Sequence, residues 1–188
     1  MTTMDLFNQE QPPPPNLTLL IERGNIKPII EYLSKCSQES LIEQSLKAGL
    51  SLIGFHHGKP SVISHLITQI LKKSGKKLRT IIAGGRDYQF TPTDIAFLDS
   101  IADCISEVVS GACNGADAAG EAWAESKGIP VKRYPADWKT HGKAAGPIRN
   151  IKMAQYAGAV VLFPGGRGTT DMNRTANRYN LVVHKRFE

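Results

Sequence analysis

The second part of the chain alternates short apolar runs with longer segments of helical spacing, and this alternation constrains the fold most strongly. The apolar runs predict five strands, at residues 78–83, 107–110, 129–133, 159–163 and 181–184. Helical spacing predicts four helices between them, at residues 93–101, 116–127, 147–156 and 169–178. Strands and helices that alternate in this way form βαβ units, whose right-handed crossovers build a parallel sheet. We therefore expect an α/β fold, a Rossmann-like three-layer sandwich with a parallel sheet of about five strands.

The first 77 residues lack this alternation and are predicted to be mostly helical. Residues 1–16 are polar and end in four consecutive prolines, which favour a disordered, extended arm; a ligand for a proline-binding domain is the alternative. Apolar spacing predicts helical segments at residues 27–33, 41–53 and 61–71, with a break at 56–60. We therefore divide the chain into an arm (1–16), a helical N-terminal region (17–77) and a Rossmann-like domain (78–188).

Charge and cysteine content narrow the class of protein. The formal net charge of +6 allows contact with polyanions without requiring it, and the basic run at 72–77 suits either a nucleic-acid contact or a solvated helix end. No apolar run approaches the roughly 18 residues that span a bilayer, and the first residues lack the pattern of a secretory signal. The three cysteines are too widely spaced for a disulfide framework or a metal knuckle. We therefore expect a cytoplasmic protein with no membrane partner, metal or cofactor.

Glycine-containing turns follow three of the predicted strands. The carboxyl ends of parallel strands meet at one edge of a sheet, so these turns should gather there. If the strand order reverses between the first and fourth strands, two of the turns flank the crevice in which such sheets bind ligands. Tight turns alone are the alternative explanation for these glycines. The turn residues that we expect to bind a ligand are Gly84, Gly85, Arg86, Ser110, Gly111, Pro164, Gly165, Gly166, Arg167, Gly168 and Thr169.

The turn at residues 164–170 leads directly into a predicted helix and has the character of a phosphate site. Its glycines allow close approach of the backbone, and the first helical N–H groups are unpaired and carry the positive end of the helix dipole. Arg167 and Arg86 could add charge-assisted contacts to the same phosphate. The turn matches neither the Walker A pattern nor the dinucleotide-binding GxGxxG pattern.

Residues 134–150 lack periodicity and are predicted to form a long loop of the kind that often carries function. Trp138 could stack on a base or simply pack the loop onto the sheet. Arg149 and Asn150 stand at the start of the next predicted helix, beside the crevice, and we expect them to contact the ligand. Asp117 begins the second predicted helix, where a capping role is a sufficient explanation.

Three stretches carry a resemblance to a known family, namely IIAGGRDY, VVSGACNGADAAGEAWAESKGIPVKRYPADWKTHGKAAGPIRN and MAQYAGAVVLFPGGRGTTDM. Together they resemble the YspA-type, YpsA-related branch of the SLOG superfamily, over residues of about 78–184. The resemblance implies a Rossmann-like fold that binds nucleotides or molecules derived from them. Relatives include the LOG phosphoribohydrolases, sensors of NAD- or ADP-ribose-related ligands, and the DprA/Smf group, which binds single-stranded DNA.

The chain departs from the LOG enzymes at one position of their PGGxGTxxE motif. Met172 occupies the position of the catalytic glutamate, and Asp171 lies one residue earlier, about 100° away around the helix. Cleavage of an N-glycosidic bond needs a carboxylate or an equivalent group to stabilise the transition state or to activate water. If the chain is a hydrolase, its candidate catalytic carboxylates are therefore Asp171 and Asp137.

These observations favour a protein that binds a nucleotide-derived small molecule, such as a nucleoside monophosphate or an NAD- or ADP-ribose-like compound. Hydrolysis of an N-glycosidic bond is an additional activity that the resemblance leaves open. The alternative is a module that binds single-stranded nucleic acid, which the net charge and Trp138 would support. The family distribution suggests a bacterial or phage source, and homodimers are common among the relatives, so a homodimer stays open.

Overall fold

The computed structural model describes residues 27–37 and 58–186. The helices within these ranges are α1 (Lys27–Lys35), α2 (Gly58–Ser74), α3 (Pro92–Ile101), α4 (Ala116–Ser126), α5 (Trp138–His141), α6 (Ala145–Tyr156) and α7 (Arg167–Arg178). The strands are β1 (Leu78–Ala83), β2 (Ile105–Ser110), β3 (Val131–Arg133), β4 (Ala159–Leu162) and β5 (Val182–Lys185). None of the described helices is long and apolar enough to cross a bilayer.

The five strands form one parallel sheet in the order β3-β2-β1-β4-β5. This confirms the predicted Rossmann-like α/β fold. β1 lies at the centre, where it pairs with β2 on one side and with β4 on the other. The strand order therefore reverses between β1 and β4, and the crevice expected at such a point lies between the turns that follow these two strands.

Helices cover both faces of the sheet because successive side chains of each buried strand point to opposite faces. Ile81 of β1 faces α6 and α7, where it shares a core cluster with Met153 and Met172. Ile82 faces the other way and packs in a cluster with Leu98 of α3 and Trp123 of α4. Both isoleucines are fully buried. The helices are thus fixed against the sheet from both sides, which sets the positions of the N-termini of α4 and α7.

The described N-terminal helices pack onto the sheet as well. Leu66 of α2 shares a buried cluster with Ala159 of β4 and Val182 of β5, and Leu33 of α1 belongs to the same cluster. The expected break at 56–60 was wrong for residues 58–60, because α2 already begins at Gly58. Pro60 falls in the first turn of α2, where a proline removes no intrahelical hydrogen bond.

Two of the predictions for the N-terminal part concern residues outside those that the structure describes. These are the arm at 1–16 and the helical segment at 41–53. The division of the chain at residues 16 and 77 stays a prediction.

His184 of β5 links the sheet to α2 and α3. Its Nε2 lies 3.4 Å from the hydroxyl of Thr68, and its ring centroid lies 5.6 Å from that of Phe97. Burial, together with the charges of His65 and Arg186, lowers the pKa of His184 to about 4. The ring is therefore neutral in the folded protein at pH values where an exposed histidine begins to gain a proton.

We expect this histidine to make the fold sensitive to mild acid. Because its pKa is lower in the folded than in the unfolded chain, its contribution to stability is complete above about pH 6.5 and is lost as the pH falls toward 4. Between pH 7.5 and 5, the wild-type chain should lose about 2 kcal/mol more free energy of unfolding than His184→Gln. Urea denaturation of both proteins across this range measures the difference, and two parallel pH profiles would contradict it.

Candidate functional site

A cavity of about 590 Å³ opens at the carboxyl edge of the sheet, at the reversal of strand order. The turn after β1, the N-termini of α4 and α7, and the segment from α5 to α6 form its walls. The predicted site residues that line it are Gly84, Gly85, Arg86, Trp138, Arg149, Asn150, Gly166, Arg167, Gly168, Thr169 and Asp171. Those that lie outside its lining are Ser110, Gly111, Asp137, Pro164 and Gly165.

The turn between β4 and α7 packs against the turn after β1. The N–H group of Gly85 donates to the carbonyl of Pro164 at 2.8 Å, which ties the two turns together. A Cβ atom on Gly165 would lie 2.7 Å from the nitrogen of Gly85 and would also collide with the hydroxyl of Thr169. Only glycine fits at this position. Gly165 therefore contributes to the site by allowing the close approach of the two turns.

The N-terminus of α7 opens toward the cavity. Gly166 precedes the helix and Arg167 begins it, and both line the cavity with Gly168 and Thr169. The first N–H groups of a helix have no intrahelical acceptors, and the dipole of the helix adds partial positive charge there. This end of the cavity, which we call the α7 end (residues 166–169), is suited to an anion.

Cationic and aromatic side chains line the same cavity. Arg86, Lys143, Arg167 and Arg174 all line the cavity. The guanidinium of Arg86 lies 5.8 Å from the ring centroid of Trp138, and this indole is 49% exposed, unusually high for a tryptophan. The cavity thus combines positive charge with a flat, accessible aromatic surface.

The segment at 134–150 is more regular than the predicted loop. It contains α5, a 3-10 turn at Gly142–Ala144 and the first residues of α6. The carboxylate of Asp137 accepts a hydrogen bond from the N–H of Thr140 at 3.0 Å and so caps α5. Gly142, with a φ of 48°, ends this short helix. The prediction of an irregular loop was therefore wrong, because these two local signals support helical turns without apolar periodicity.

Both oxygens of Asp171 are occupied. Oδ2 accepts a hydrogen bond from the side-chain amide of Asn150 at 2.9 Å, and Oδ1 accepts one from Arg174 at 2.7 Å. Asn150 also reaches the carbonyl of Gly168 at 3.4 Å. Asp171 therefore holds Asn150 and Arg174 beside the α7 end. Met172 is 1% exposed and packs in the core beneath α7.

A second polar cluster lies on the β2 side of the cavity. Its carboxylate, Asp117, was not among the site residues that the sequence predicted. Asp117, in the first turn of α4, lines the cavity together with Cys113 and Arg149. The N–H of Cys113 donates to Oδ2 of Asp117 at 3.3 Å, and Nη1 of Arg149 lies 3.9 Å from the same oxygen. Burial raises the pKa of Asp117 to about 6, and the positive charge of Arg149 limits the rise.

Gly111 makes room for this arrangement although it does not line the cavity. Its carbonyl accepts a hydrogen bond from Nη1 of Arg149. A Cβ atom on Gly111 would collide with the guanidinium of Arg149 and would lie 2.7 Å from Oδ2 of Asp117. Nη1 and Nη2 of Arg149 also lie 3.8 and 3.9 Å, respectively, from the thiol of Cys113. Gly111 therefore positions Arg149 without lining the cavity itself.

Comparisons with known proteins give a family and a relative to which the chain is similar. The model of the family described as YAcAr, the YspA, cpYpsA-related SLOG family, matches residues 78–141. The chain is also 34% identical over 119 residues to the Gene 61 protein of Mycobacterium phage D29, a match that covers 56% of this chain and 93% of that protein. No solved structure gives a significant match.

Proposed function

Because the chain belongs to the YspA, cpYpsA-related SLOG family, we propose that its cavity binds a nucleotide or a nucleotide-derived small molecule. Membership of this family points to a role linked to nucleotides or nucleic acids. The observation that carries the finer proposal is the α7 end, where an open helix N-terminus and Arg167 line the same enclosed space. A phosphate there would gain backbone hydrogen bonds, the helix dipole and a charge-assisted contact.

The rest of the cavity suits the remainder of such a ligand. Its volume of about 590 Å³ falls within the range of small-molecule sites, which is roughly 300–1,000 Å³. Trp138 offers a ring face at the rim, and Arg86 lies on the same wall. A base could stack on the indole while its phosphate lies on the α7 end, since aromatic faces and guanidinium planes both stack on bases.

The proposal stops at binding and includes no bond cleavage. Of the two carboxylates predicted for catalysis, Asp171 has both oxygens engaged with Asn150 and Arg174. Asp137 caps α5 and lies outside the cavity lining. The position that holds glutamate in the LOG enzymes is the core residue Met172. Neither predicted carboxylate is thus placed as a free base within the cavity.

We expect Arg167→Ala to weaken the binding of AMP roughly tenfold or more, because one charge-assisted hydrogen bond to phosphate contributes about 1.5–3 kcal/mol. Thermal shift and titration calorimetry with AMP, ADP-ribose and NAD measure the effect. Arg178→Ala is the matched control, since Arg178 is an exposed arginine of the same helix outside the cavity lining. Equal losses in both variants, or binding that neither variant changes, would contradict this placement of the phosphate.

A short single-stranded oligonucleotide in the same panel distinguishes the nucleotide pocket from the alternative function, which is binding of single-stranded nucleic acid. The net charge of +6 and the exposed Trp138 would support binding of nucleic acid. Extended nucleic-acid binding weakens steeply as salt is raised, because counterions are released from many phosphates. A mononucleotide in a pocket should show a much shallower salt dependence. If only the oligonucleotide binds, and its affinity falls steeply as the salt concentration rises, the proposal of a nucleotide pocket is rejected.

A further inference from the structure

We infer that the cavity has a second ligand-binding end, formed by Asp117, Cys113 and Arg149, which accepts the ribose hydroxyl groups of the same nucleotide. This inference rests on the proposed function. It assigns a binding site to the ribose, the part of the nucleotide that distinguishes a ribonucleotide from its deoxy analogue. We call these three residues the Asp117 end of the cavity.

The two ends lie on opposite sides of the central turn. β2 and β4 flank β1 in the sheet, so the Asp117 end follows the strand on one side and the α7 end follows the strand on the other. Ala116, at the start of α4, donates its N–H to the carbonyl of Gly85 at 3.1 Å, which fixes α4 beside the turn after β1. A ligand that rests on this turn can therefore reach both ends.

The carboxylate of Asp117 retains the capacity to accept further hydrogen bonds. A carboxylate has about four acceptor positions. The backbone N–H groups of Cys113 and Gly111 and the guanidinium of Arg149 interact with it, and these occupy three at most. The side chain is only 9% exposed, so a donor must come from within the cavity.

The chemistry of this end suits a hydroxyl group. The guanidinium of Arg149 is a donor on the cavity wall, with its side chain 14% exposed, and Asp117 beside it is an acceptor. A hydroxyl both donates and accepts, so it can satisfy the two groups together. A second phosphate would instead meet a buried carboxylate, which disfavours another negative charge. Within a nucleotide, the group that matches is the ribose diol, which carboxylates also bind in dinucleotide-binding folds.

Titration of the full chain with AMP and with 2′-deoxy-AMP tests this inference. The wild-type chain should bind AMP about tenfold more tightly than the deoxy analogue. Asp117→Asn should bind the two equally, with AMP weakened about tenfold. Glu125→Gln removes a carboxylate from the same helix at a position where the side chain is 65% exposed, and it should behave as wild type. Melting curves show whether each variant is folded.

The comparison within the wild-type chain does not depend on any variant. If wild type binds both nucleotides equally, or if folded Asp117→Asn keeps the preference for AMP, the inference is wrong while the proposed function stands. If wild type binds neither nucleotide and also fails to bind ADP-ribose and NAD, the proposed function fails and this inference fails with it. A preference for AMP that disappears in Asp117→Asn alone supports both.

Discussion

Gly165→Ala should weaken the binding of AMP at least about a hundredfold. The new Cβ atom would lie 2.7 Å from the nitrogen of Gly85 and would also collide with the hydroxyl of Thr169. The turn after β4 must then move away from the turn after β1, and the first N–H groups of α7 move with it. Losing two backbone hydrogen bonds to a charged phosphate, at about 1.5 kcal/mol each, weakens binding roughly a hundredfold.

Thr170→Ala provides the comparison for this variant. Thr170 lies in the first turn of the same helix, is exposed and does not line the cavity. Alanine is also a better helix former than threonine, so the fold should be retained or slightly stabilised. Calorimetric titration of both variants with AMP, beside their melting curves, measures the difference. Similar affinities for the two would show that the contact between the turns does not organise the site.

Gly115→Ala should destabilise the fold by about 4 kcal/mol, the largest effect on stability that we expect from a single substitution. Gly115 precedes α4 with a φ of 72° and a ψ of −126°, a backbone conformation essentially restricted to glycine. A Cβ atom there would also collide with the backbone of Gly85 and Arg86. Strain and collision therefore act together where α4 meets the turn after β1. Urea denaturation at pH 7.5 measures the loss.

Gly128→Ala separates the effect of backbone strain from the effect of the collision. Gly128 has a similar φ of 67°, but a Cβ atom there would meet nothing within 4 Å. Its substitution should cost only the strain of a left-handed conformation, about 1 kcal/mol. If both variants lose the same stability, the collision with the turn after β1 contributes nothing and our account of this junction is wrong.

The parts of the fold that local sequence determines could be predicted. Short apolar runs predict the strands. The turn at 164–170 combines glycines, an arginine and the start of a helix within a few residues. Five strands and their parallel arrangement are present in the structure, and the strand order reverses beside β1, a point that the sequence had left open. The short helix α5 could not be read from periodicity, because its four residues depend on the Asp137 cap and on Gly142 instead.

The parts of the site that depend on distant contacts could not be predicted. In the sequence, Asp117 is a carboxylate in a first helical turn, for which capping suffices as an explanation. Only the folded chain brings Arg149 of α6 beside it and encloses both in the cavity. Asp171 stood out as a candidate base by its place in the motif, whereas the fold pairs it with Asn150 and Arg174. The contacts that Arg149 and Asn150 make arise between helices and leave no pattern in local spacing, whereas Arg174 lies three residues from Asp171 on the same helix.

Alkylation of Cys113 tests most directly whether a nucleotide occupies this cavity. Cys113 lines the cavity and is partly exposed, whereas the other two cysteines, Cys36 and Cys104, are buried. Saturating AMP should slow the reaction of Cys113 with iodoacetamide at least several-fold in the wild-type chain, as followed by peptide mass spectrometry. The same AMP concentration should protect Arg167→Ala much less. If AMP raises the melting temperature but leaves the alkylation rate of Cys113 unchanged, the nucleotide binds outside this cavity, which contradicts the proposed function of the site.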